Sequence, residues 1–140
     1  CTMMASVIYQ GSLRCSCTHL QSTTVIETDA PTDNRGKGER FSPTDLLCVS
    51  LATCMVTTMG IRASDMQVNL DGTTISVTKY MLSNPRRIGK IGIELQLPEG
   101  ISPENQSILQ KIGDNCPVMK SIHPDIELEI NYQWDALPNS

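Results

Sequence analysis

The chain has 140 residues, 39% of them hydrophobic, and a formal net charge of -4, which fits one globular domain with room for a real core. The acidic balance and the lack of any dense Lys/Arg run exclude a field for a nucleic-acid backbone. No basic segment precedes an apolar one near the start, and the longest apolar run is broken by Ser50, Thr53, Thr57 and Thr58. Neither a signal peptide nor a membrane partner is therefore expected, and the expected compartment is the cytoplasm.

In chain order, Ser6 to Gln10 and Leu13 to His19 read as a hairpin about a turn at Gly11, and Thr23 to Thr28 as a third strand. Cys15 and Cys17 then share one strand face about 6.6 Å apart, a poor separation for a bridge, and are expected as small buried side chains. His19 lies on the same face, but C-x-C-x-H on a straight strand cannot wrap a tetrahedral ion without distant ligands. Asp29 to Arg40, rich in Gly, Pro and charge, reads as a solvated or mobile loop, and its G-K-G lacks the spacing of a phosphate-binding loop.

Phe41 to Gly60 carries one charge, Asp45, and reads as a buried helix about 27 Å long. Ser42 is a fitting N-cap, Pro43 a fitting first helical residue, Asp45 completes a capping box, and Gly60 is a plausible stop. Leu47, Leu51, Cys54, Met55 and Thr58 follow helical spacing, while Val49, Ala52 and Val56 fill the other faces. Such a helix is expected to be buried on all sides, through the domain centre or across a subunit interface.

Gln67 to Leu70, Thr73 to Leu82 and Ile88 to Leu97 follow as strands, the last two pairing antiparallel. Ser102 caps a second helix that ends near Gly113 to Asn115. Pro117 to Ile122 reads as a short helix with Cys116 at its N-cap, and Ile126 to Trp134 as a last strand. The order defines one α+β domain over residues 1 to 140 with a mainly antiparallel sheet.

Six cysteines, at 1, 15, 17, 48, 54 and 116, are too scattered for a secreted disulfide framework, so reduced or catalytic thiols are expected. Cys1 admits a lipoprotein end, which a strand beginning a few residues later disfavours. Cys48 lies six residues before Cys54, about 9 Å and 240° away on a helix, and reads as core. Cys54 is too far along its helix for the macrodipole to acidify it, so a reactive Cys54 needs a cation, for which Arg14, then Arg35 and Arg40, are candidates. Spacing names Cys116, at a helix start, as the more acidic thiol and leaves open which of the two attacks first.

S-P-T-D-L-L at 42 to 47 with Cys54 on the same helix, N-P-R-R-I-G-K-I at 84 to 91, and C-P-V-M-K-S-I-H-P at 116 to 124 together resemble the OsmC/Ohr family of thiol-dependent peroxidases. The resemblance implies an OsmC-like fold and an intertwined homodimer, with long helices packed centrally and active sites at the subunit interface. It also implies reduction of organic hydroperoxides in oxidative stress defence, with Cys54 as peroxidatic cysteine, Cys116 as resolving cysteine, Arg14 stabilising the thiolate, and a dithiol reductant. No metal or organic cofactor enters that chemistry. Well-studied members carry a Glu in an N-P-E context ten residues before the reactive cysteine, where this chain has Thr44 followed by Asp45. Asp45 points roughly opposite Cys54 on an ideal helix, so the chain resembles the less characterised OsmC-like subgroup.

Two other readings fit the residues: a non-catalytic dimeric module holding a small molecule or lipid in an apolar cavity, and metal binding by Cys54, Cys116 and His123. His123 and His19 are expected to be structural, and Met55, Met59, Met81 and Met119 to fill the core.

Overall fold

The computed structural model describes residues 2–138, so Cys1 lies outside the described residues. The chain divides into two compact units, Cys1–Leu47 and Cys48–Ser140, with the division falling inside the long helix.

In the first unit, β1 (Ala5–Gly11), β2 (Arg14–His19) and β3 (Val25–Asp29) form an antiparallel sheet in that order. The β1 to β2 turn runs through Gly11, Ser12 and Leu13, all at positive φ. Paired residues put Val7, Tyr9, Cys15, Cys17, Ile26 and Thr28 on one face and Ile8, Arg14, Ser16, Glu27 and Asp29 on the other. Cys15 and Cys17 are half-exposed, not buried as expected, since the cross-strand neighbours Val7, Tyr9 and Ile26 are themselves exposed.

Residues 30–40 form a loop that is solvated as expected, with 32–35 and 37–40 exposed, and that is also folded on its own hydrogen bonds. The Asn34 and Gly36 amides both donate to the Pro31 carbonyl at 2.9 Å, and the Gly38 amide donates to the Ala30 carbonyl at 3.3 Å. A Cβ at Gly36 would lie 1.7 Å from the Ala30 oxygen, so only glycine closes this loop.

The helix α1 spans Pro43–Asp65. Its start is the capping box anticipated: the Asp45 amide donates to Ser42 Oγ, and the Ser42 amide donates to Asp45 Oδ2, each at 3.0 Å. Its end is not Gly60. Gln67 takes the left-handed conformation, the Val68 amide donates to the Ala63 carbonyl at 2.8 Å, and the Gln67 amide donates to the Ser64 carbonyl at 3.2 Å. These two bonds are a Schellman closure, which terminates a helix more firmly than a glycine without such bonds. The closure also consumes residues 67 and 68, and no strand forms between 67 and 70.

By length and composition α1 could cross a membrane, with a mean hydropathy of 1.6, despite its serines and threonines. Instead Cys48, Leu51, Ala52, Met55, Met59 and Ala63 form a buried stripe in the core of the second unit. Burial is confined to that stripe rather than all-round: Thr53, Thr57 and Ile61 are exposed.

The second unit adds β4 (Thr74–Leu82), β5 (Arg87–Pro98), α2 (Pro103–Gly113) and β6 (Glu127–Leu137). β4 and β5 pair antiparallel, and β6 joins the other edge of β5 in parallel. Parallel pairing requires a long crossover, which α2 and the following turns supply. Ile91, Ile93, Leu95 and Leu97 of β5 and Leu109 of α2 complete the core, while Lys90, Gly92, Glu94 and Gln96 alternate to the more open face. Ser102 caps α2 as expected, accepting the Asn105 amide at 3.2 Å.

Candidate functional sites: a thiol pair and an arginine–carboxylate clamp

Cys54 and Cys116 meet within the second unit. Cys54 is half-buried on the second half of α1. One turn later the Thr58 hydroxyl donates to the Cys54 carbonyl at 2.7 Å and lies 3.9 Å from the Cys54 sulfur. Cys116 is fully buried beyond the end of α2. Pro117 to Ile122 is a succession of turns and not the short helix expected. The Lys120 amide donates to the Cys116 carbonyl at 3.2 Å and the Ile122 amide to the Val118 carbonyl at 3.1 Å, after which Pro124 blocks continuation.

The turns aim backbone amides at the sulfurs, and this reverses the order of acidity read from spacing. The Cys54 thiol is pushed below its ordinary range, first by the Val118 N–H and then by hydrogen bonds from Cys116 and Thr58, against the opposing effect of burial. Cys116 is pushed up, first by burial and then by its bond to Cys54, with the Met119 N–H opposing. Of the two, Cys54 is therefore the thiol that gives up its proton more readily, and its contact with Cys116 favours the ionised form of Cys54. A half-buried, acidified sulfur beside a fully buried, less acidic one can attack an electrophile and then close a disulfide. Both are thiols and not halves of a disulfide, as are Cys15, Cys17 and Cys48, the last buried as expected.

Arg14 lies in the first unit, opposite Asp29 in the β2 to β3 register. Its Nε donates to Asp29 Oδ1 at 2.6 Å and its Nη2 to Asp29 Oδ2 at 2.8 Å. Nη2 also donates to Glu39 Oε1 at 2.8 Å, and the Glu39 amide donates to Asp29 Oδ2 at 3.1 Å. The two-pronged guanidinium contact, with burial opposing it, holds the Asp29 carboxyl at about 2 and raises the already high Arg14 pKa. The carboxylates gripping Arg14 are thus Asp29 and Glu39, while Asp45 serves the capping box. Arg40 bonds Glu27 at 3.1 Å.

His123 is exposed and accepts the Asp125 amide at 3.0 Å, and His19 sits 2.6 Å from Ser22 Oγ. Both are exposed and bond only within their own turns in these contacts. Among the described residues no group of three or more His, Cys, Asp and Glu is arranged to hold a metal ion.

A long helix backed by a three-stranded sheet, with one thiol on that helix and its partner beyond the next, is the arrangement of an OsmC-type protein. The chain belongs to the OsmC-like protein family, whose model matches residues 36–131. A solved structure of a candidate osmotic stress induced and detoxification response protein from Psychrobacter arcticus 273-4 is 48% identical, with a TM-score of 0.91 over 94% of this chain and 96% of that one. An OsmC-like protein from Mycoplasma pneumoniae has 15% identity and a TM-score of 0.78, covering 96% and 97% of the two chains. An organic hydroperoxide resistance protein from Legionella pneumophila has 16% identity and a TM-score of 0.70, covering 95% and 97%. No curated protein matches the chain.

Proposed function

We propose that this protein is a thiol-dependent peroxidase that reduces organic hydroperoxides. The feature carrying the reading is the contact between two unequal thiols, half-buried Cys54 pushed below its ordinary range and fully buried Cys116 pushed above it. The Cys54 thiolate attacks one peroxide oxygen, the O–O bond breaks, and the alkoxide takes a proton to leave as alcohol, giving Cys54 sulfenic acid. Cys116 then attacks the Cys54 sulfur. The S–S bond forms, the S–O bond breaks, and the hydroxyl leaves with the Cys116 proton as water. A dithiol reductant returns both thiols and is itself oxidised to a disulfide. Arg14 is assigned the thiolate-stabilising role on the family resemblance alone; its guanidinium is held by Asp29 and Glu39.

The Legionella relative's description as an organic hydroperoxide resistance protein supports the substrate class. The working form in this reading is a homodimer, supported by exposed apolar side chains at Val7, Ile8, Tyr9, Phe41 and Ile61, each more than half exposed.

The test is turnover of tert-butyl hydroperoxide with dithiothreitol as reductant. Wild type should turn over, Cys54→Ser should not, and Cys116→Ser should accumulate a dimedone-trappable sulfenic acid at Cys54. Equal activity in wild type and Cys54→Ser would refute the proposal.

A further inference from the structure

Resolution of the sulfenic acid requires the Cys116 sulfur to be delivered to Cys54, and β6 holds the segment that carries it. Tyr132 reaches across to the last turn of α2, where its hydroxyl donates to Asp114 Oδ1 at 2.8 Å and lies 3.3 Å from the Gln110 carbonyl. Two residues along β6, the Trp134 indole N–H donates to Gln110 Oε1 at 2.7 Å. Gly113 seats the helix end between β6 and α1. A Cβ there would lie 2.6 Å from the Tyr132 hydroxyl and 2.9 Å from the Met59 sulfur. Met59 is five residues beyond Cys54 on α1, and Gly113 is three residues before Cys116. The hydroxyl remains a donor at any working pH, because burial first, and then Asp114, push its ionisation far up.

We infer that Tyr132 is a positioning residue for the resolving cysteine, locking the end of α2 against α1 so that Cys116 is held where it can condense with Cys54 sulfenic acid. This rests on the peroxidase reading. Tyr132 touches neither peroxide nor sulfenic acid. It acts on the second step alone, in which the new S–S bond forms and water leaves. Looser seating lowers the fraction of time the two sulfurs are aligned, and misplacement of a reacting group by about 1 Å costs up to about a hundredfold in rate. Losing one of the two β6 anchors is a smaller displacement, for which a fall of about tenfold is expected. The sulfenic acid then lives longer and is overoxidised to sulfinic acid more readily.

The experiment is rapid mixing of the reduced, full-length protein with tert-butyl hydroperoxide. Sulfenic acid formation is followed by dimedone trapping and disulfide formation by acid quench and mass mapping. Tyr132→Phe removes only the hydroxyl, and Asp114→Ala removes its exposed acceptor, giving a second variant should the first fold poorly. Both variants should form sulfenic acid within twofold of the wild-type rate, form the disulfide about tenfold more slowly, and yield more sulfinic acid at excess peroxide. An unchanged disulfide rate in both variants would overturn the inference, as would an equal fall in both steps, which marks general loosening. If wild-type Cys54 forms no sulfenic acid, the peroxidase reading itself fails, an outcome distinct from these two.

Discussion

Gly113→Ala tests the seat of α2 directly. The added methyl carbon would lie 2.6 Å from Tyr132 Oη, 2.9 Å from Met59 Sδ and 3.3 Å from Met59 Cγ. Met59 is flexible but fully buried, and Tyr132 is a rigid ring tied to Asp114, so relief requires the helix end to move. Overpacking of this kind costs about 1–3 kcal/mol. Replacing Gly by Ala inside a helix returns up to about 1 kcal/mol, and less at the final helical position. The net loss is about 1–2 kcal/mol, or a Tm about 3–7 °C lower in a chain of this length. Thermal unfolding of the reduced protein by circular dichroism, at one fixed protein concentration, reads this shift. A Tm equal to or above that of wild type would show that Gly113 is not a close-packed seat and would remove the physical basis for Tyr132 as an anchor.

Ser42→Ala removes the hydroxyl that accepts the Asp45 amide at 3.0 Å, and unfolding in urea should show a loss of about 1 kcal/mol. An unchanged midpoint would deny the cap its role. Cys54 should be alkylated by iodoacetamide well before Cys116 at neutral pH, and Cys116→Ala should move the Cys54 thiolate midpoint, read by ultraviolet absorbance, upward by removing one of its donors. A lower midpoint in that variant would contradict the assigned direction of the hydrogen bond. Asp29 titrates at about 2 in the fold against a reference value of 3.8, so its stabilising contribution is present above the reference value and is lost as pH falls towards the folded one. The stability gap between wild type and Asp29→Asn should therefore narrow as pH drops through that window, and a constant gap would assign the stabilisation elsewhere.

Sequence reading reached the elements whose signals are local. The Ser42 and Asp45 cap, the Ser102 cap and the alternation in β4, β5 and β6 depend on neighbours a few residues apart, and each appears as expected. The end of α1 was missed because a Schellman closure around a left-handed Gln67 leaves no composition signal, whereas Gly60 supplies a misleading one. The parallel placement of β6 is set by the α2 crossover, and alternation is identical in parallel and antiparallel strands.

The clamp on Arg14 was legible in principle. Pairing β2 with β3 through the turn near Ser22 sets Arg14 opposite Asp29, so strand register, and not the helix where a family Glu is sought, carries the signal. Glu39 could not be read in this way, because it reaches Arg14 from the folded loop after β3. The relative acidity of the two cysteines was beyond sequence. It depends on which sulfur is buried and on where the Val118 and Met119 amides point, and both follow from turns that replace the short helix expected after Cys116.

In the proposed reaction Cys54 and Cys116 act as one two-electron centre. This is tested most directly by counting and mapping thiols in the reduced protein before and after one equivalent of an organic hydroperoxide, in wild type and in Cys54→Ser. The account predicts rapid loss of two thiols, a Cys54 to Cys116 disulfide in the mass map, and no loss in the variant. Survival of both thiols in wild type would contradict it.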